Sequence, residues 1–153
     1  MTVFLHKWLD MPPIWMLGFV ALIWRQSLIW NPFEFQAPVA RGAGWVLIVL
    51  AVCLMGWAAL QFIVKRTSIV PRHLPKALIA QGPYRISRNP IYLADAMVVL
   101  GFALLMGSIL GVLLVPVFMA VITKRFIKGE EQGLRAAYPD QQAAFFKNTR
   151  RWL

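Results

Sequence analysis

An uncharged apolar run extends from Gly42 to Val64 and limits the folds open to this chain. About 20 apolar residues in a helix are enough to cross roughly 30 Å of hydrocarbon. Over the whole chain 59% of the residues are hydrophobic and 14% are charged, whereas soluble domains average roughly 45–50% and about 25%. A water-soluble chain of 153 residues is too small to bury that much apolar surface. The sequence therefore excludes a soluble globule and a disordered chain, and indicates an integral membrane protein.

Two other apolar regions predict three further spans. One runs from Ile14 to Trp30, and the other from Ile91 to Thr123. The second is too long for a single span, and the Gly107-Ser108 pair near its middle indicates a tight turn between two helices. We therefore predict one all-α membrane domain with a cytoplasmic linker and a C-terminal amphipathic helix. Its four transmembrane helices are expected at about 14–30, 42–64, 90–107 and 109–127.

The distribution of charge predicts the orientation of these spans. The net charge is +10, from 16 Lys and Arg against 6 Asp and Glu. Most of the basic residues lie in the linker Lys65–Asn89 and in the tail that starts at Lys124. The positive-inside rule places both segments, and both termini, in the cytoplasm. We expect a multi-pass protein of the plasma membrane of a prokaryote. Topology explains its basic residues, so nucleic acid is not an expected partner.

Soluble catalytic and metal-binding patterns do not occur in the chain. The only cysteine, Cys53, allows neither an internal disulfide nor a thiolate metal cage. His6 and His73 are isolated, and no HExxH, glycine-rich phosphate loop or serine elbow is present. We therefore expect no metal.

The segment before the third span, 81–92, is dense in polar, aromatic and turn-forming residues. Gly82 begins a Gly-Pro turn, and a glycine lets a ligand approach the backbone closely. Arg85 and Arg88 are suited to holding an anionic group, and two tyrosines offer flat faces to a purine. The same composition is typical of an interfacial loop with snorkelling arginines and anchoring tyrosines. Both interpretations stay open at this point.

Carboxylates form two further candidate features. Glu130 and Glu131 follow the fourth span, where they either bind a ribose diol or an amine, or belong to an amphipathic helix on the headgroups. Asp95 lies one turn beyond Tyr92, near the start of the third span. A carboxylate in the membrane is costly unless it is paired. We expect Asp95 to face Arg88 or a ligand, in a structural or a catalytic role.

The polar segment and the glutamate pair together resemble a known signature. Gly82-Pro83-Tyr84-Arg85 followed by Ser87-Arg88-Asn89-Pro90-Ile91-Tyr92 resembles the GxYxxxRHPxY motif of the isoprenylcysteine carboxyl methyltransferase and phospholipid methyltransferase families. The EExxL…FG…Y…Y…R pattern of those families is followed in order, after the apolar hairpin, by Glu130-Glu131, Leu134 and Arg151, with Tyr138-Pro139 in place of the Phe-Gly pair. The resemblance extends over roughly Arg66 to Leu153.

This resemblance implies an integral membrane methyltransferase that uses S-adenosylmethionine, with a cytoplasmic pocket built from 78–92 and 124–151. It implies that Gln81, Gly82, Pro83 and Tyr84 line the adenosine, that Arg88, Asn89 and Tyr92 contact the methionine end or the ring, and that Glu130 or Glu131 binds the ribose or the amino group. Arg151 is the residue implied to orient an acidic substrate group. Glu131 or Asp95 is the candidate to accept a proton if the methyl acceptor is an amine. The acceptor is expected to be lipophilic and to arrive from the bilayer.

Departures from the signature affect mainly the substrate side. The family histidine is Asn89 here, so hydrogen bonding is kept while an ionisable imidazole is lost. The two tyrosines that follow in the family pattern fall on Gln142 and Phe145. The acceptor therefore stays open among a prenylcysteine carboxylate, a phospholipid amine and a small hydrophobic molecule.

Two other functions compete with the methyltransferase. Membrane sterol reductases have a related C-terminal region and use NADPH, whose 2′-phosphate needs a further basic cluster, for which Arg72 and Lys76 are the candidates. The second is a non-catalytic bundle that binds lipids. The sequence does not determine the oligomeric state.

Overall fold

The computed structural model describes residues 11–31, 34, 35, 37–66 and 78–153. The regular structure of that part of the chain is helical, and its β-structure is limited to an isolated bridge between Glu34 and Ser108. The α-helices of these described residues are α1 Pro12–Ile29, α2 Pro38–Val64, α3 Pro90–Leu105, α4 Ile109–Ile122, α5 Lys128–Ala137 and α6 Pro139–Asn148. A 3-10 turn, Gly82–Arg85, precedes α3, and a π-helical turn, Thr123–Ile127, joins α4 to α5. The all-α fold is thus confirmed there, whereas His6, Arg72, His73 and Lys76 lie outside the described residues.

Proline and glycine explain where several helices begin and end. The helices α1, α2, α3 and α6 each begin at a proline. Proline suits the first helical turn because the backbone N–H that it lacks would have no partner within the helix. The turn between α3 and α4 falls at Gly107-Ser108, where the sequence places it. Gly107 adopts φ +58°, a conformation that L side chains rarely take.

The C-terminal region differs from the single amphipathic helix that the sequence predicts. The chain forms two helices there, because Pro139 disfavours the helical conformation at Tyr138. Tyr138 has φ −136° and ψ 59° and ends α5. Within the same region, the π-helical turn widens the continuous helix before α5 begins. Local sequence patterns do not reveal this turn.

Two helices of the described chain are long and apolar enough to cross a bilayer. One is α2, and the other is the continuous helix Ile109–Ala137, which consists of α4, the π turn and α5. At 1.5 Å per residue the second exceeds the roughly 30 Å of hydrocarbon. We therefore place its charged portion, from Lys124 on, beyond the hydrocarbon. α3 is apolar but has only 16 residues, so the four predicted spans are supported in part.

The described residues fall into two compact units. Unit 1 contains α1, α2 up to Ala51, α3 from Asp95, and α4 up to Val121. In unit 1, α2 and α3 approach closely at two glycines: a Cβ on Gly44 would lie 2.7 Å from the carbonyl oxygen of Gly101. Small residues at such crossings let helix backbones touch, which stabilises helix pairs in membranes.

The two turns of unit 1 lie against each other. Phe35 N–H donates to the Gly107 carbonyl oxygen at 2.9 Å, next to the Glu34–Ser108 bridge. The buried Ser108 hydroxyl donates to Gln26 Oε1 at 2.7 Å and accepts from Gly111 N–H at 3.0 Å. The loop before α2 and the turn between α3 and α4 therefore share one end of unit 1.

Unit 2 contains the rest of α2 from Val52, the segment up to Ala94, and the chain from Ile122 to Leu153. Its apolar core is formed by Ala58, Ile79, Tyr84 and Phe145, with Phe62, Leu78, Ile91 and Phe146 packed against it. These residues come from α2, from the segment before α3, from the first turn of α3 and from α6. Unit 2 thus joins the two polar regions that the sequence analysis singled out.

Candidate functional site

The 3-10 turn before α3 depends on Gly82. This residue has φ +58°, and a Cβ there would lie 3.0 Å from Gln61 Nε2 and 3.3 Å from Trp57 Nε1. The space beside Gly82 is thus occupied by side chains of α2. We predict from the sequence that a ligand approaches this glycine, but in the structure the close approach is made by the protein itself.

Tyr84 is the buried aromatic residue of this turn. Its ring meets the Phe62 ring edge to face, with centroids 5.9 Å apart. Burial raises the pKa of the Tyr84 phenol, and the negative charge of Glu130 raises it further. The phenol therefore stays neutral at physiological pH, and its ring is held rigidly in the core.

Arg88, just before α3, joins three parts of unit 2. Its guanidinium donates to the carbonyl oxygens of Phe146 and Thr149, each at 2.6 Å, and stacks over the Phe146 ring at 4.2 Å. Its Nη1 also donates to Glu131 Oε1 at 3.3 Å. These contacts hold the end of α6 and the side of α5 against the start of α3.

Glu131 is buried and shared by two arginines. Arg151 donates from Nε to Oε1 at 3.0 Å and from Nη2 to Oε2 at 2.6 Å, which is the bidentate geometry that makes such pairs strong. Burial alone raises the pKa of the Glu131 carboxyl, but the hydrogen bond and charge of Arg151 and the charge of Arg88 outweigh it and lower the pKa. Glu131 is therefore ionised, with both oxygens engaged by protein groups.

Glu130 contacts a different partner. The Tyr92 hydroxyl donates to Glu130 Oε1 at 2.6 Å, and the buried Tyr92 ring lies 6.4 Å from the ring of Phe126 in the π turn. Glu130 itself is partly exposed. The two adjacent glutamates thus define two neighbouring clusters, one with tyrosine and one with arginines.

Asn89 and Ser87 connect the start of α3 to the C-terminal segment. The Arg151 carbonyl oxygen accepts from Asn89 Nδ2 at 3.0 Å and from Ser87 Oγ at 3.2 Å. Arg88 N–H donates to the Arg150 carbonyl oxygen at 2.9 Å. Residues 87–89 therefore lie alongside residues 150 and 151.

A groove of about 430 Å³ opens in unit 2 between the segment before α3 and α6. It is lined by Leu78, Ala80, Arg85, Gln141, Ala144, Phe145, Asn148 and Thr149. Pockets for small ligands are commonly about 300–1,000 Å³ and mostly apolar with a few polar groups. The volume of the groove falls in this range, but its lining is half polar, and Arg85 supplies a cation.

Most of the predicted site residues come together in unit 2. Gln81 is exposed and its carbonyl oxygen accepts from Tyr84 N–H at 3.2 Å, while Pro83 is buried. Asp95 belongs to unit 1 and is completely buried. Neither of its carboxylate oxygens has a hydrogen-bond partner among the described residues, so the suggested pair between Asp95 and Arg88 is not formed.

Several site residues are missed by the sequence analysis. Trp57 and Gln61 on α2 contact the turn at Gly82, although α2 carries no recognised motif. Gln61 has a detectable signal, because a polar side chain in an otherwise apolar span is usually functional or paired. Phe146 and Thr149 have no such signal, since both accept from Arg88 through backbone carbonyl oxygens that any residue provides, and only Phe146 adds a ring contact.

The two long apolar helices indicate a helical membrane protein, and unit 2 contains its buried glutamate–arginine site. A sequence model of the phospholipid methyltransferase family matches residues 39–141, which is more than half of the chain. The chain belongs to this family, and the protein is therefore a membrane methyltransferase. Comparisons with curated proteins and with solved structures gave no significant match.

The family match changes the role expected of the N-terminal half. It begins at residue 39, inside α2, whereas the sequence resemblance starts near Arg66. The helix that holds Trp57 and Gln61 is thus part of the family region. Arg151 lies beyond the end of the match.

Proposed function

We propose that the protein uses S-adenosylmethionine as the methyl donor and transfers its methyl group to a lipophilic acceptor that arrives from the bilayer. The observation that carries this proposal is the convergence of the two motif halves in unit 2. Tyr92 contacts Glu130 and Arg88 contacts Glu131, at 2.6 and 3.3 Å. One small molecule can therefore touch residues from both halves.

The protein side chains in this part of unit 2 suit a ligand that combines a nucleoside with an amino acid. Glu130 is a partly exposed carboxylate beside Tyr92, which suits a ribose diol or an amino group. The groove lined by Phe145 and Arg85 offers an apolar surface and a cation. When bound, S-adenosylmethionine supplies a methyl group activated by its sulfonium centre. The protein residues then hold the donor and acceptor together and exclude water.

The surroundings of the two glutamates favour different roles for them. Glu131 is buried between Arg88 and Arg151 with a lowered pKa, so it is a weak proton acceptor and a structural anchor. Glu130 is the better candidate for contact with the donor. An amine acceptor must lose a proton, and Asp95, one turn beyond Tyr92 in sequence, stays the candidate to receive it. A carboxylate or thiolate acceptor needs no base.

The proposed topology has four spans, with both termini in the cytoplasm of a prokaryotic cell and the basic segments next to anionic headgroups. The pairing of the loop at Phe35 with the turn at Gly107 supports it, since the positive-inside rule puts both connections on the outer side. Cysteine-accessibility labelling in a Cys53→Ser background tests the topology, with a reporter at Phe35 or at Lys147. Labelling from outside is expected at position 35 and absent at position 147, and the reverse pattern contradicts it.

The cofactor proposal is tested by ligand binding to the full chain in detergent micelles. S-adenosylhomocysteine, which lacks the transferable methyl group, is expected to raise the unfolding temperature and to give a calorimetric signal. Glu130→Gln is expected to weaken this binding about tenfold. Asp140→Asn is the matched control, because Asp140 is an exposed carboxylate on α6. Its affinity should equal that of the wild type.

The same titration separates the competing functions. If only NADPH stabilises the protein, the reductase alternative is indicated. If neither NADPH nor S-adenosylhomocysteine stabilises it, a lipid-binding bundle is indicated. Either outcome contradicts the proposal. If S-adenosylhomocysteine binds, incubation with methyl-labelled S-adenosylmethionine and a lipid extract identifies the acceptor. A phospholipid amine is the first product to examine, given the family.

A further inference from the structure

We propose that Asn89 is a positioning residue that fastens a C-terminal strap, residues 149–153, across the start of α3. Through this strap it holds Arg151 on Glu131. The inference rests on the proposed function only for its effect on donor binding, because the strap itself is visible in the structure. It assigns to Asn89 a contact with the protein in place of the cofactor contact that the resemblance implies.

The strap is held by backbone and side-chain hydrogen bonds from three consecutive residues. Ser87 Oγ and Asn89 Nδ2 both donate to the Arg151 carbonyl oxygen, at 3.2 and 3.0 Å. Arg88 donates from its backbone N–H to the Arg150 carbonyl oxygen at 2.9 Å and from Nε to the Thr149 carbonyl oxygen at 2.6 Å. Three successive carbonyls of the strap are thus engaged.

The strap is also packed rather than resting on the surface. Thr149 is 6% exposed and Ser87 is completely buried. Trp152 Nε1 donates to Thr123 Oγ1 in the π turn at 3.2 Å. The strap therefore contacts the start of α3 on one side and the entry to α5 on the other.

The contact of Asn89 bears on the site through Arg151. The Arg151 carbonyl is fixed by Asn89, and the guanidinium of the same residue is bound to both oxygens of Glu131. Glu131 is the neighbour of Glu130 on α5. Release of the strap therefore loosens the part of α5 that presents Glu130, and we expect donor affinity to fall without loss of any direct donor contact.

Substitutions at position 89 distinguish a contact with the strap from a direct contact with a ligand. The contact to Arg151 uses the amide N–H of Asn89, which an aspartate at neutral pH lacks. A direct contact to the amino group of a ligand would use the amide oxygen, which an aspartate keeps. The family signature has a histidine at this position, and the ring N–H of histidine can donate a hydrogen bond. Asn89→Asp should therefore break the strap contact, and Asn89→His should keep it.

The experiment measures strap opening and donor binding on the same variants of the full chain in micelles. Trypsin reaches the peptide bonds after Arg150 and Arg151 only when the strap detaches from the start of α3. Mass spectrometry of the released C-terminal peptides gives the rate, with cleavage after Arg41 in unit 1 as the internal reference. S-adenosylhomocysteine affinity is measured by calorimetry. Ser87→Ala is the second variant, because Ser87 contacts the strap and is too deeply buried to contact a ligand.

Asn89→Asp is expected to raise the strap cleavage rate about tenfold, which corresponds to about 1.4 kcal/mol, and to weaken S-adenosylhomocysteine binding by a similar factor. Ser87→Ala should act in the same direction on both, and Asn89→His should behave like the wild type in both. Asn89→Asp with an unchanged cleavage rate would overturn the proposal, and ligand binding that is kept in this variant would favour a direct contact through the amide oxygen. Unchanged cleavage in both Ser87→Ala and Asn89→Asp overturns it as well.

Failure of the proposed function gives a different result. The wild type then binds no S-adenosylhomocysteine, while the cleavage rates still rise in Asn89→Asp and Ser87→Ala. The strap assignment is thus tested whether or not the donor is S-adenosylmethionine.

Discussion

The Tyr92 hydroxyl donates a 2.6 Å hydrogen bond to Glu130 Oε1, although the two residues lie 38 positions apart in the sequence. The neighbouring carboxylate, Glu131, instead accepts from Arg88 and Arg151. One pair of consecutive acids thus serves two clusters. This division leads to different expectations for substitutions that are chemically alike.

Removal of the Tyr92 hydroxyl is expected to affect ligand binding more than stability. Tyr92→Phe keeps the ring beside Phe126 but deletes one donor to a partly exposed carboxylate, a contact at the lower end of the roughly 1.5–3 kcal/mol of hydrogen bonds to charged groups. We expect S-adenosylhomocysteine to bind about 3- to 10-fold more weakly, because Glu130 is less well positioned. Calorimetry on Tyr92→Phe, Glu130→Gln and the double variant measures the coupling. Strictly additive losses would show that the two residues act independently.

Substitution of Glu131 is expected to affect mainly stability. Glu131→Gln leaves Arg88 and Arg151 facing a neutral amide that offers a single acceptor oxygen. The loss is moderated by the partial solvation of Arg151, whose side chain is 37% exposed. We expect a decrease of about 1–3 kcal/mol in the free energy of unfolding, measured by denaturant titration in mixed micelles. Asp140→Asn again serves as control, and an equal loss in that variant would refute the anchoring role.

The anchoring role also has a pH dependence whose sign follows from the lowered pKa of Glu131. The unfolded carboxyl titrates near its ordinary value of about 4.3. A group whose pKa is lower in the folded state contributes its full stabilisation above the unfolded pKa, and loses it as the pH falls through the folded pKa. The stability advantage of wild type over Glu131→Gln should therefore be constant from neutral pH to about pH 5 and shrink at more acidic pH. An advantage that grows on acidification contradicts this assignment.

Much of the fold follows from local sequence signals. The prolines at positions 12, 38, 90 and 139 coincide with helix starts, and Gly107-Ser108 coincides with the turn between α3 and α4. These features depend on the conformational limits of single residues, so they are visible without knowledge of packing. The π turn at Thr123–Ile127 has no such signal, because its extra residue is accommodated by tertiary contacts.

The site was predictable as a set of residues but not as a set of contacts. The spacing of the motif identifies Arg88, Tyr92 and the two glutamates. Which glutamate meets the arginines depends on the rotation of α5 after the π turn. The strap contacts of Asn89 were equally hidden, because their acceptor is a backbone carbonyl. A sequence motif therefore identifies the residues of a site more readily than the groups that they contact.

Helix packing in unit 1 gives a matched pair of glycine substitutions. Gly44→Ala places a methyl group 2.7 Å from the Gly101 carbonyl oxygen, whereas a Cβ on Gly56 meets nothing within 4 Å. Both residues lie on α2. We expect Gly44→Ala to cost about 1–3 kcal/mol through overpacking, and Gly56→Ala to be neutral or slightly stabilising because alanine favours the helix. Denaturant titration in micelles compares them, and similar losses in both variants would argue against the close crossing.

The turn at Gly82 allows backbone strain to be separated from side-chain crowding. Gly82→Ala must hold a positive φ, which costs roughly 1–2 kcal/mol for a residue with a Cβ, and its methyl group lies 3.0 Å from the flexible Gln61 amide. Gln61→Ala removes the closest contact, leaves Trp57 Nε1 at 3.3 Å, and does not change the backbone conformation. We therefore expect the double variant to recover only a small part of the stability lost in Gly82→Ala. The free energies of unfolding of the single and double variants give this recovery directly. Complete recovery would mean that contact with Gln61, and not the left-handed backbone, is what requires glycine at the entrance to α3.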